Sequence, residues 1–498
     1  MNIPAAIFFV TISIFSVSYG WGMRGTTIGG EKGAMLPGAI MGLLIAIFSG
    51  SPVLIESSWY LSALGALGMY FGGCMTYGET LGLSMDKHPA ENMKKGMLAL
   101  FVKGFLWFGI FAATVSMGIS VLSGTIYTLK DIAVLFALMP VFMLVFWLLL
   151  NKPLNPGKGK YPKIYFSKTR QESWGALFGL LLLLVGFAAI KGNMYTVVYT
   201  LPCAAVGGFG WMFSQWMQIL AKWPRKNGEF IFKNARQLGL MEPWKIMECF
   251  LGGFGGFGFS VAFLLTQDKY FRPLADAIEA NGIWSPLGSY GKISAIVWIL
   301  LIGVDMIQYF IKIPVTKAEL KKLLTLTLIS KEEYDKSIGS CPETAPAAYS
   351  KYRKLCEHAE MAIYAVIPLL LVFLGSGDAA ALVSFFIVYI VVVQETCFDL
   401  FKGIRFQKFF KIVLLLFGLG VVLAQLIYGV SVPAEITWFM YGVFYEAITL
   451  AWILPQSSRV RQNTNGFKEF AFNSEFIAVH GYFLLCVAFM CVSMTVLF

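Results

Sequence analysis

The amino-acid sequence predicts an all-α integral membrane protein, a bundle of about fourteen transmembrane helices. Three observations carry this reading: low charge content, apolar runs of membrane-spanning length along the whole chain, and basic loops that alternate with those runs. Of the 498 residues, 57% are hydrophobic and 13% charged, where a soluble domain carries about 25% charge.

The apolar runs lie near 3–19, 34–50, 59–83, 96–120, 131–150, 172–190, 194–221, 246–267, 291–311, 362–376, 378–395, 409–430, 433–455 and 475–498. The first lacks a basic start and a small-residue cleavage site and leads into further spans, so it is expected to stay as a helix. Basic clusters follow the odd-numbered spans, for example Lys87, Lys94 and Lys95 after the third and Lys222, Arg225 and Lys226 after the seventh. Loops after even-numbered spans are short and poor in Lys and Arg, with Lys191, Lys269 and Arg272 as exceptions. Positive loops stay cytoplasmic, which predicts a multi-pass protein of the cell membrane with both termini outside.

Topology also accounts for the net charge of +11. The basic residues gather in loops of one parity rather than on a nucleic-acid-binding face, so nucleic acid is excluded as a partner. The eight cysteines form no CxxC pair and most lie in apolar runs, where thiols act as small hydrophobes. The chain reads as one transmembrane domain. Its one sizeable soluble piece, 312–361, is too small to bury a core of its own.

An internal repeat is visible. "PGAIMGLL" at 37–44 matches "WGALFGLL" at 174–181, "GMYFGGCMTYGE" at 68–79 matches "VGGFGWMFSQWM" at 206–217, and "GFLWFG" at 104–109 matches "GFGGFG" at 253–258. Spans two to four (about 34–120) thus pair with spans six to eight (about 172–267), leaving a C-terminal bundle over about 291–498. Because four spans separate the copies, they have the same orientation and an axis along the membrane normal, as in many transporters.

The stretch "GWGMRGTTIGGEKGAMLPG" at 20–38 fits G-x-G-x-x-G at Gly20, Gly22 and Gly25, as do Gly253, Gly255 and Gly258. No βα unit surrounds either copy, so neither is a dinucleotide-binding turn. The second copy reads as small residues for close helix packing. The first places Arg24, Glu31 and Lys32 among glycines, which suits a re-entrant or broken-helix segment lining a wet cavity.

Ionisable residues in hydrocarbon are costly and mark function. Glu79 follows Tyr77 near the inner end of the third span, Asp305 lies inside the ninth, and Glu446 lies near the middle of the thirteenth. Gln215, with Gln218, stands in the second repeat near the counterpart of Glu79. Arg24, Glu31, Lys32, Tyr77, Glu79, Gln215, Asp305 and Glu446 are therefore the candidate substrate-binding or ion-coupling residues. Arg24, Glu31, Glu79 and Gln215 are expected to share one polar cavity. Lys103, Glu248, Glu395 and Asp399 read as interfacial residues that reach water.

No Walker motif, nucleophile signature or metal-ligand spacing is present, and no cofactor or metal is expected. These features predict a transporter or flippase for a polar, anionic or sugar-containing substrate, driven by an ion gradient. The partners expected are membrane lipids and a small polar or lipid-linked substrate. The alternative is a membrane enzyme acting on a lipid-linked substrate at the cytoplasmic face, with Asp86 and His88 as an acid–base pair near Arg24, Glu31 and Lys32. A channel or structural subunit is the third class.

Overall fold

The structure, a computed structural model, describes residues 1, 3–24, 30–73, 89–155, 158–166, 172–227, 243–310, 316–318, 320–321, 331–343 and 359–389. Among these residues there is no β-strand. In chain order the helices are α1 (Ile3–Arg24), α2 (Gly30–Ile47), α3 (Pro52–Glu56), α4 (Ser58–Gly73), α5 (Pro89–Leu122), α6 (Leu129–Asn151) and α7 (Trp174–Ile190). They continue as α8 (Met194–Asn227), α9 (Pro243–Thr266), α10 (Arg272–Asn281), α11 (Gly291–Phe310), α12 (Lys331–Ile338), α13 (Ile367–Phe373) and α14 (Gly377–Tyr389). A π-helical turn, Gln267–Phe271, joins α9 to α10, and another, Ala362–Val366, precedes α13.

Among the described residues, five stretches are long and apolar enough to cross a membrane: Ile3–Gly22, Met93–Leu122, Leu129–Asn151, Met194–Ile219 and Met247–Asn281. The twelfth, thirteenth and fourteenth runs predicted from sequence lie outside the described residues. In this apolar setting, several buried hydroxyls are satisfied by their own helices. Ser116 donates to the Ala112 carbonyl at 2.6 Å, Ser260 to Gly256 at 2.6 Å and Thr266 to Ala262 at 2.7 Å.

The glycine-rich stretch is helical through Arg24 and helical again from Gly30, and residues 25–29 lie outside the described residues. The two arms are antiparallel: the Phe9 ring lies 4.6 Å from that of Phe48, and a side chain on Gly20 would strike Pro37 and Ile40. With 22 residues, α1 reaches about 33 Å, enough to traverse a hydrocarbon core of about 30 Å.

Six helices close a ring: α1 packs on α2, α2 on α4, α4 on α5, α5 on α8, α8 on α9, and α9 back on α1. Small residues bring the backbones together. Gly38 meets the Gly65 carbonyl where α2 crosses α4, and Gly256 meets Ser13 where α9 crosses α1. The ring is filled rather than open. Trp21, Trp107 and Trp211, all fully buried, form its centre, with ring centroids 5.2 Å apart for Trp21–Trp107 and 5.9 Å for the stacked pair Trp107–Trp211. Helices α6 and α7 pair outside the ring against α5, and α14 lies against α4 and α11.

Tertiary contacts sort the connections into two ends. At one, the Trp284 amide donates to the Leu122 carbonyl at 2.8 Å, Ser285 Oγ donates to Gly375 at 2.9 Å, and Lys191 pairs with Asp131 at 2.5 Å. Asn193 Nδ2 also donates to the Tyr127 hydroxyl there, at 3.0 Å, and burial pushes that hydroxyl's pKa up to about 12. At the other end Lys32 pairs with Glu360 at 2.8 Å, and the Lys95 ammonium lies 3.8 Å from the Tyr165 ring centroid. Among the described residues, the first end holds the connections α5–α6, α7–α8 and α10–α11, and the second holds Lys32 and Lys95.

The structure does not confirm the repeat predicted from sequence. Gly72 lies against Trp107 and Gly210 against Phe254, so the pairs α4–α5 and α8–α9 use glycine alike. Helix α7, the partner of α2 in the alignment, packs along α6 through Gly175 and Gly179 instead.

Candidate functional site

The site is built on three ring helices just below the tryptophan layer, toward the basic end. Helix α5 runs away from that end, α8 runs toward it, and α9 runs away again. Lys103 precedes Trp107 by one helical turn, Gln215 and Gln218 follow Trp211 by one and two turns, and Glu248 precedes Phe254. Each is thereby displaced from the aromatic layer in the same direction. Trp211, Gln215 and Gln218 are spaced four and three apart, so they share the helix face that Trp211 turns into the ring.

All four side chains are buried: Lys103, Gln215 and Gln218 are 0% exposed and Glu248 is 1% exposed. Lys103 Nζ donates to the Gly73 carbonyl of α4 at 3.3 Å and lies 4.5 Å from the Trp107 ring centroid. Gln215 and Gln218 differ: none of their four amide atoms has a hydrogen-bond partner. Glu31 approaches from α2, its backbone pressed against Gly73.

Burial of Lys103 and Glu248 corrects the reading of both as interfacial residues that reach water. Sequence position near a span end suggested snorkelling; the length of α5, 34 residues, carries it well past the hydrocarbon and keeps Lys103 inside, while Glu248 on α9 is closed over by α1 and α8. The other candidates are distributed as follows. Gln215 lies in the site. Lys32 is engaged by Glu360 and lies 4.6 Å from the Tyr364 ring centroid. Arg24 is the last residue of α1 and Asp305 lies within α11. Tyr77, Glu79 and Glu446, like Asp86 and His88, lie outside the described residues. Glu360 was not singled out from sequence; only its three-dimensional neighbour Lys32 marks it.

Outside the ring, an apolar recess of about 540 Å³ runs between α1 and α9, lined by Ile14, Ser18, Cys249, Phe250, Gly253, Phe254 and Phe257. Its lining suits a hydrocarbon chain. Among the described residues no three His, Cys, Asp or Glu side chains gather as a metal site would require.

Long apolar helices, a ring closed by small residues and charges confined within it define a helical membrane protein. No protein family, curated protein or solved structure matches the chain.

Proposed function

We propose that the chain is a multi-pass transporter or flippase for a polar substrate, of about fourteen spans with both termini outside. The observation that carries the reading is the buried polar layer of Lys103, Gln215, Gln218 and Glu248 inside a ring of apolar helices. Taking an ion out of water costs several kcal/mol even after relaxation, and intramembrane ionisable groups mark substrate and ion pathways. The matching glycine contacts of α4–α5 and α8–α9 support a repeat reduced to two helix pairs, with the polar layer beside both. Arg24, Glu31 and Glu79 are the remaining candidates for that polar layer. Tyr77 and Lys32 stand as candidate substrate contacts, and Asp305 and Glu446 as sites for a coupling proton or sodium ion. The apolar recess beside Cys249 favours the flippase form of this reading, because it would hold the hydrocarbon tail of a lipid-linked substrate near the polar layer.

The test is uptake by proteoliposomes under imposed proton or sodium gradients, across a panel of sugars, organic anions and lipid-linked sugars. Gradient-dependent accumulation that falls at least tenfold in Glu248→Gln supports the proposal. Absence of transport for every class, with the protein correctly folded in the vesicle, refutes it.

A further inference from the structure

Gln215 and Gln218 are wholly buried on the ring face of α8, and all four of their amide atoms lack a partner. Buried polar groups left unsatisfied are costly and rare, and here two stand one turn apart on one face. A serine or threonine in a helix can bond its own backbone. These amides find nothing comparable.

We propose that Gln215 and Gln218 form the recognition subsite for a neutral, hydroxyl-bearing part of the substrate, a sugar or polyol. The inference rests on the transport reading and narrows its substrate class. Each amide presents an acceptor, Oε1, and a donor, Nε2. An anion accepts only and would leave both Oε1 atoms unmatched. An ammonium donates only and would leave both Nε2 atoms unmatched. A hydroxyl does both. Two hydroxyls on one ring can serve two amides whose Cβ atoms are about 5–6 Å apart, the spacing of neighbours one helical turn apart. The charges in the same layer, Lys103 and Glu248, are opposite in sign and favour neither kind of ion.

The full-length protein in lipid nanodiscs, free of glycoside detergents, is titrated calorimetrically with neutral hexoses and polyols, hexose phosphates, dicarboxylates and basic amino acids. Binding should be found among the neutral hydroxylated compounds and weaken at least tenfold in Gln215→Met/Gln218→Met. The melting temperature of that variant should be unchanged or higher, because apolar groups of the same shape replace unmatched polar ones. Binding by charged compounds alone, or by no neutral hydroxylated one, overturns the subsite; so does equal binding by the variant. The wild-type panel decides the matter if the variant does not fold. Neutral-sugar binding without uptake would remove the transport reading and keep the subsite, and uptake insensitive to the double substitution would do the reverse.

Discussion

Gly104 of α5 and Gly207 of α8 face each other across the ring, each so near the other's carbonyl that a methyl group at either position would collide with backbone. Trp211 crowds Gly104 and Phe108 crowds Gly207, so the two helices are locked in one register. That register sets where Lys103 and Gln215 fall.

Gly104→Ala or Gly207→Ala should therefore cost about 1–3 kcal/mol, the usual penalty of overpacking, seen as a lowered melting temperature. Gly186→Ala is the control. Nothing lies within 4 Å of a Cβ there, and replacing a helical glycine gains about 0.5–1 kcal/mol. Equal melting for all three variants would mean that α5 and α8 do not cross at this point.

At the basic end, the Lys32–Glu360 pair ties α2 to the turn preceding α13, with side chains 14% and 31% exposed. Partial exposure limits its worth. A double-mutant cycle with Lys32→Met and Glu360→Gln should give a coupling of about 0.5–1 kcal/mol. Strict additivity would show that the pair does not hold these elements together.

The two ends should also differ in accessibility. Lys160 and Asn281 are both exposed and lie at opposite ends. In a background stripped of native cysteines, Asn281→Cys should react with an impermeant thiol reagent added outside intact cells, and Lys160→Cys should be shielded. The reverse pattern would invert the orientation drawn from the basic loops.

Asn193 links the turn before α6 to the start of α8 through Tyr127 and Thr196. Asn193→Ala should cost about 1–3 kcal/mol by leaving buried partners unsatisfied. Tyr127 adds a pH dependence. Its pKa is raised from 10.0 to about 12, chiefly by burial, so the unfolded chain loses this proton first as pH rises. The stability it contributes is full below pH 10 and is lost between 10 and about 12. Tyr127→Phe should remove that part of the alkaline decline, and a variant with an unchanged alkaline profile would show that Tyr127 is not the group responsible.

Much of this architecture is legible in sequence because a membrane restricts the choices. Uninterrupted apolar runs such as 131–150 leave little but helix, and α6 follows that run within two residues, beginning where Thr128 and Asp131 form a capping box. At 20–38 the glycines are conspicuous in sequence, but that Gly20 serves the close approach of α1 and α2 is visible only with the partner helix in place. Lys103 and Glu248 show the limit of position alone: depth was inferred from distance to a span end, whereas burial depends on which neighbours close over the residue. Gln215 was legible as an amide within an apolar run, but that its amide would be unmatched depends on packing among α5, α8 and α9.

Lys103 and Glu248 yield the last prediction. Both are buried in the same layer and carry opposite charges, and an uncompensated buried charge is strongly destabilising, by about 3–5 kcal/mol. Lys103→Met alone should lower the melting temperature, because the Gly73 carbonyl loses its donor and Glu248 keeps its charge. Glu248→Gln alone should also destabilise, by leaving the ammonium as the excess charge. Lys103→Met/Glu248→Gln should then be more stable than either single variant while losing activity, since the double variant leaves neither buried charge without its opposite in the layer. If the two losses simply add, the charges do not balance one another, and the polar layer is two separate sites rather than one.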